Sequence, residues 1–201
     1  MFNTERINKF DVIDLDPYGS MVPFLNSTLK AIKRGGLLCL TCTDSRVLCG
    51  SDRHKCFYLY RSGRGGNDMV QETGLRVALQ TLNTVAGMQG KNIKVLLSIQ
   101  SDFYIRLFVQ VIDKKKEAWK SIEQNGIQFY CEECCYQHYY VFGKQRDNGH
   151  YQVNRLKLPQ STCPTCKLEF KVSKLKRWAY MGRPVIRTRF RNSALRRARS
   201  E

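Results

Sequence analysis

The stretch FDVIDLDPYGS, Phe10 to Ser20, decides how the chain reads: a hydrophobic run passes without a break into an acid, a proline, an aromatic residue and a glycine. Phe10 to Leu15 is continuous enough in apolar character, apart from Asp11 and Asp14, to be an interior strand of a parallel sheet. In doubly wound sheets ligands sit beyond the carboxyl ends of the strands, so the residues just after Leu15 face a site. Asp16 supplies a carboxylate there. Pro17 fixes the turn and, lacking an N–H, leaves its carbonyl free to accept; Tyr18 supplies a flat apolar face. On these residues alone, an ordinary Asp-Pro turn after a strand is an equal alternative.

After Ser20 the period changes. Phe24, Leu25, Thr28, Leu29 and Ile32 recur at helical spacing, with Ser20 as N-cap and Gly35-Gly36 as the stop. LLCLTCTD, Leu37 to Asp44, then reads as a second buried strand that also ends in an acid, with Cys39 and Cys42 as packed thiols. Val47 to Asn67 is expected to be a loop, and its RSGRGGND run lacks the Lys-Ser/Thr pair and the strand-loop-helix setting of a phosphate cradle. From Asp68 to Met88 the pattern is helical, with Leu75, Ala78, Leu79, Leu82, Val85 and Ala86 as the apolar stripe and Arg76 as a structural or phosphate-facing residue. Two strands follow, IKVLLSIQ and FYIRLFVQVI; the second places Phe103, Ile105, Leu107, Val109 and Val111 on one face. Strand, helix, strand, helix, strand, strand is the second half of a doubly wound α/β sheet.

Lysine and arginine outnumber the acids 34 to 17, a formal charge of +17, which points to a polyanion partner, most often nucleic acid. Part of the excess is a basic tail: from Arg155 onward there are fourteen Lys or Arg and two Glu. No run approaches the roughly 18 apolar residues of a membrane-spanning helix, and the first twenty residues hold acids and amides where a signal peptide is apolar, so an intracellular protein is expected. The nine cysteines are an odd count, and without a secretory signal a disulfide framework is not expected. CEEC at Cys131 and Cys134 and CPTC at Cys163 and Cys166 form two knuckles separated by a 28-residue insert. Two such knuckles complete a tetrahedral four-sulfur zinc site, structural because no position is left for water; Cys135 and His138 are spare ligands. Aromatics interleaved with bases around the knuckles suit either RNA contact or a miniature core.

Two acceptors beside an aromatic plate suit an exocyclic amino group on a nucleobase. Such an amine is a poor nucleophile because its lone pair is delocalised into the ring. Hydrogen bonds from its N–H groups to Asp16 and to the Pro17 carbonyl would orient that lone pair toward an electrophile, with Asp16 as proton acceptor.

FDVIDLDPYGS, followed by GGLLCLTCTD, ETGLRVALQTLNTVA and LLSIQSDFYIRLFVQV, resembles in order and spacing, from Phe10 to Val111, the tRNA (guanine-26) N2-dimethyltransferase family. The family is similar to amino-methylating enzymes with an Asp/Asn-Pro-Pro-Tyr type turn, here with a single proline and with Asp16, Pro17 and Tyr18 as the catalytic positions. The resemblance implies the second half of a Rossmann-like S-adenosylmethionine-dependent methyltransferase sheet followed by a small zinc-ribbon-like module. It also implies S-adenosylmethionine as methyl donor, the N2 amine of a tRNA guanine as acceptor, mono- or dimethylguanine as product, and paired cysteine knuckles like those of eukaryotic members. The family's glycine-containing loop and its acidic cofactor residue are expected upstream of Met1. No cofactor-binding residue is therefore carried over, Asp44 being the one candidate, and the chain is expected to be a piece truncated at both ends. Its expected divisions are a partial catalytic domain at 1–112, a connector at 113–126, a zinc-binding module at 127–180 and an unpacked basic tail at 181–201. The nucleus is the first expected compartment, mitochondrion or cytoplasm the others. The alternative reading is a non-catalytic, zinc-stabilised tRNA- or RNA-binding protein, and a third is a DNA amino-methyltransferase.

Overall fold

Two strands of the opening pattern lie side by side: β1 (Phe10–Leu15) runs parallel to β2 (Ile32–Cys42), and α1 (Leu25–Ala31) makes the crossover that parallel pairing requires. In this computed structural model the described residues are 9–49, 52–62, 70–131, 133–134, 136–154, 162–168, 178–180 and 186–188. Helices α2 (Ser45–Leu48), α3 (Arg53–Tyr60) and α4 (Val70–Met88) lead to β3 (Asn92–Ser101), which turns back into β4 (Tyr104–Ile112). β4 inserts between β2 and β3, antiparallel to both, so the sheet is mixed.

Period two decides which side of β4 is inside. Ile105, Leu107, Val109 and Val111 are fully buried, while Arg106, Phe108 and Gln110 alternate with them on the other face. The inward set meets Leu38 and Leu40 of β2 and the stripe Leu75, Ala78, Leu79, Leu82 and Ala86 of α4 in one continuous core, closed by Met21, Leu25 and Leu29. Val85 packs only partly against it. Phe103, expected on that inward face, is instead in the β3–β4 turn beside Asp102 (φ 46) and is exposed. The turn ends the alternation one residue early.

β1 also departs from the expectation of an interior strand. Among the described residues its only neighbour is β2, and Phe10 and Val12 are 55% and 56% exposed. A strand is buried only as far as neighbours on both sides cover it, which its own sequence does not reveal. The following helix is shorter than its spacing suggests. A 3-10 turn at Val22–Phe24 precedes α1, and Ile32 is already extended (φ −78, ψ 140) where it pairs with Phe10. Ser20 is not its N-cap, and Gly35-Gly36 lies inside β2. Gly36 serves the approach of β1 to β2, since a Cβ there would come within 2.9 Å of the Asp11 carbonyl oxygen.

The expected loop from Val47 onward contains α2 and α3. Asp52 caps α3 by accepting the Lys55 N–H at 3.2 Å, and Arg61 stops it in the left-handed region (φ 51). Residues 63–69, with the glycines of RSGRGGND, lie outside the described residues.

Past β4 the connector forms two single turns, α5 (Lys115–Ala118) and α6 (Ser121–Gln124). β5 (Asn125–Tyr130) pairs antiparallel with β6 (Gln137–Val141) and with β9 (Trp178–Tyr180), and β7 (Gly143–Gln145) pairs with β8 (Tyr151–Val153) as a hairpin. β9 packs along α4, so this small sheet is seated on the larger body. Of the tail expected to stay unpacked, Ile186–Thr188 forms β10, parallel to β3 at the sheet edge. An edge offers unpaired backbone N–H and C=O groups, and pairing with them needs no apolar side chain.

Candidate functional site

β1 delivers Asp16, Pro17 and Tyr18 to the carboxyl end of the sheet, where Asp16 is exposed and Tyr18 stands fully in solvent. The turn closes at Gly19 (φ 92), a conformation that side chains rarely adopt. It is clamped to the end of β2 by two hydrogen bonds: the Gly19 N–H donates to Thr43 Oγ1 at 2.8 Å, and the Thr43 N–H donates to the Gly19 carbonyl at 2.9 Å. Ser20 then contacts the hydroxyl of Tyr60 at 2.7 Å, and that hydroxyl donates to the Asp44 carboxylate at 2.8 and 3.0 Å. Ser20, Tyr60 and Asp44 thus form one hydrogen-bonded chain behind the turn, tying β1, β2 and α3 together.

Burial raises the Asp44 carboxyl above the ordinary carboxylate value, and the Tyr60 hydrogen bond opposes it in part. Tyr60 is pushed far up, first by burial and then by Cys42 and Asp44, so it remains a phenol able to donate. Burial likewise lifts the Cys42 thiol to about 12 and the Cys56 thiol to about 11, which keeps both as protonated packing groups.

The two acids of the strand end have separate fates. Asp14 pairs with Arg106 of β4 at 2.6 Å, and Arg106 also bonds the Thr41 hydroxyl and lies over the Phe108 ring at 5.4 Å. Asp16 has no hydrogen bond or ion pair among the described residues and is exposed to solvent. Sequence reasoning missed Thr43, Tyr60 and Arg106. The one available signal was Arg106, a charge at an outward position in the middle of an apolar strand.

Farther along the chain, past β5, the two knuckles converge. The Sγ atoms of Cys131, Cys134, Cys163 and Cys166 all lie within 4.8 Å of one another, with Cys131–Cys166 at 3.6 Å and Cys134–Cys163 at 3.5 Å. A tetrahedral zinc thiolate with bonds of about 2.3 Å places its sulfurs about 3.8 Å apart, so this donor set suits that ion. Backbone turns hold the sulfurs: the Cys131 N–H donates to the Tyr136 carbonyl at 2.9 Å and the Cys163 N–H to the Leu168 carbonyl at 2.8 Å. Cys163 is buried, which raises its thiol. The backbone N–H groups of Cys166 and Thr165 and the neighbouring thiols outweigh this and bring it down to about 6. His138 is exposed on β6 and is not one of the converging group, whereas Cys135 lies outside the described residues. Arg76 proves structural, paired with Glu72 at 2.6 Å and lying over the Tyr139 ring at 5.5 Å.

A family model for N2,N2-dimethylguanosine tRNA methyltransferase matches residues 1–175. The chain is similar to tRNA (guanine(26)-N(2))-dimethyltransferases, with 41% identity to that of Mus musculus over 63% of this chain and 19% of the relative. Identity to that of Homo sapiens is 37%, over 72% of this chain and 22% of the relative. To that of Thermococcus kodakarensis it is 37%, over 61% and 32%. The chain therefore spans about a fifth to a third of the length of these curated relatives. Among solved structures it resembles Trm1 from Pyrococcus horikoshii in complex with S-adenosyl-L-methionine, with a TM-score of 0.66 and 29% identity over 75% of this chain and 40% of that one. With residues 1–175 matched, the chain belongs to the N2,N2-dimethylguanosine tRNA methyltransferase family.

Proposed function

We propose that this chain contributes the acceptor side of a tRNA guanine N2-methyltransferase. It would be the second half of a Rossmann-like methyltransferase sheet (1–112), joined through a connector (113–126) to a zinc-binding module (127–180) and a basic tail (181–201). The observation that carries the reading is the exposed Asp16-Pro17-Tyr18 turn at the carboxyl end of β1, pinned from behind through Gly19, Ser20 and Thr43. Tyr18 offers its ring to the face of a guanine. The N2 amine donates one N–H to the Asp16 carboxylate and the other to the Pro17 carbonyl, which turns the nitrogen lone pair away from both. As nitrogen bonds the methyl carbon, the donor's carbon–sulfur bond would break and a neutral thioether would leave; Asp16 would stabilise the positive charge passed to nitrogen and then take the proton. A monomethylated amine keeps one N–H, which the same carboxylate can accept, so a second transfer needs no new group.

S-adenosylmethionine, bound in the Pyrococcus relative, would supply the electrophilic methyl group. The described residues do not fit it alone, because Asp44, the one carboxylate the sequence offers for it, is committed to Tyr60. The four cysteines would hold zinc as a structural ion with every position taken. The partner is tRNA, with guanine 26 as the target base, in an intracellular compartment. No described helix is long and apolar enough to cross a membrane.

The test is methyl transfer from labelled S-adenosylmethionine, in the protein's full-length context, to tRNA carrying guanine or inosine at position 26. Inosine lacks the amine. Transfer to guanine alone, lost in Asp16→Ala and reduced in Tyr18→Ala with tRNA binding retained, supports the reading. Salt-sensitive tRNA binding without any transfer would favour the non-catalytic RNA-binding alternative.

A further inference from the structure

A groove of about 730 Å³ opens between the end of α4, the α5–α6 turns and the β7–β8 hairpin, lined by Met88, Lys115, Trp119, Ile122, Phe142 and Tyr151. It lies at the opposite end of the sheet from Asp16. Ile105 of β4 pairs with Cys42 beside the Asp16 turn, whereas Ile112 pairs with Asn92 beside the groove. Seven residues of strand separate the two ends, about 24 Å. Only an extended ligand can touch both.

The groove exposes costly apolar groups. Trp119 is 56% exposed and Met88 81% exposed, and Trp119 meets Tyr151 with ring centroids 6.4 Å apart at 58°. Lys115 lines it, and its chain neighbours Lys114 and Lys116 are exposed as well. The acids from Asp113 to Glu123 each have an internal partner: Glu117 pairs with Lys120 at 2.8 Å, Glu123 accepts the Gln145 N–H at 2.5 Å, and Asp113 lies 3.9 Å from Lys91. The rim left over is positive. A wide aromatic ring beside three unpaired cations matches a single-stranded nucleic acid, whose bases stack while its phosphates are neutralised.

We propose that this groove is a second RNA-contact site, taking an unpaired base of the substrate against Trp119 and its flanking phosphates on Lys114–Lys116. The proposal rests on RNA being the partner. The experiment measures binding of unmodified tRNA to the full chain by fluorescence anisotropy across a salt series, comparing the parent with Trp119→Ala, Trp119→Phe and the triple Lys114→Gln, Lys115→Gln, Lys116→Gln. All four positions are exposed, and retained circular dichroism and melting temperature verify folding. Trp119→Ala should weaken binding about tenfold or more, with Trp119→Phe recovering most of it. The triple variant should lower the slope of log K against log salt by about 2, three phosphates at about 0.7 each. A parent that binds no RNA would remove the partner assignment itself. A parent that binds, with variants matching it in affinity and slope, would overturn the groove alone, and so would loss of affinity in Trp119→Ala that Trp119→Phe does not recover.

Discussion

The body and the cysteine module are held by different physics. In the body, side chains from Met21 to Val111 form one continuous apolar core between α4 and the sheet. In the module, the buried cluster among the described residues is Cys131 and Cys163, with Cys134, Tyr136 and Cys166 packed against them. A domain that buries so little apolar surface needs a staple, and a metal held by the four convergent thiols would be one. Among the described side chains, the seam between the two includes polar contacts and unsatisfied polar groups. Arg76 of α4 covers the Tyr139 ring, Asn83 reaches Gln124 at 3.4 Å, and the buried acceptors of Gln80, Asn83 and Gln128 lack partners. Apolar burial stabilises the body, whereas a bound metal would stabilise the module, so the two parts should respond to different perturbations.

Metal removal should separate them most sharply. Structural zinc is worth about 10–16 kcal/mol in small domains that fold only with it. Chelation, or Cys163→Ala, should therefore abolish hydrogen-exchange protection in β5 and β6 while leaving β2, β3 and β4 protected. Protection lost in both at once would refute the division, and protection retained in both, with no zinc found by native mass spectrometry, would refute the staple. The reciprocal change is Leu107→Ala, which hollows the body core from a fully buried position. It should cost about 2–5 kcal/mol in chemical denaturation of the body and leave zinc stoichiometry unchanged.

This contrast also sorts what could be read from the sequence. Patterns repeated along one element were legible: the alternation of β4, the stripe of α4, the buried strand β2 and the cysteine knuckles. The Asp16-Pro17-Tyr18 turn was legible because position at a strand end carries meaning in an α/β sheet. Features made by distant partners were not. α3 turns only Cys56 and Tyr60 inward, too few to print a stripe. β10 joins the sheet through its backbone, and the exposure of β1 depends on what its neighbours cover. The supports of the turn span long separations: Gly19 to Thr43 is 24 residues, Ser20 to Tyr60 is 40, and Asp14 to Arg106 is 92.

Those long-range supports bear smaller predictions, confined to the body. Tyr60→Phe preserves the packing of a fully buried ring but removes the donor to Asp44 and the partner of Ser20. Leaving polar groups unsatisfied there should cost about 1–3 kcal/mol, and zinc content should not change. On the proposed function, and if the turn depends on this hydrogen-bonded chain, the same variant should reduce methyl transfer more than it reduces tRNA affinity. Equal losses in both, or none in either, would reduce Tyr60 to a packing residue.

The smallest expected effect is a pH dependence carried by Asp44. Burial raises its folded-state value above the unfolded one, so between those two values the folded chain holds more protons than the unfolded chain. Its contribution is then fully present below the unfolded value and is lost as pH rises through the folded value. Asp44→Asn keeps an acceptor for Tyr60 without a charge to desolvate, and should flatten the stability profile of the body across that window. Tyr60→Phe, by removing the hydrogen bond that holds Asp44 down, should move the window to higher pH. Both shifts should be read from sheet signals in denaturation series at matched ionic strength. The module should not follow them, because with a metal bound its pH response would come from protonation of the liganding thiolates. A slope identical in the parent and in Asp44→Asn would mean that this carboxylate is as well solvated in the folded chain as in the unfolded one.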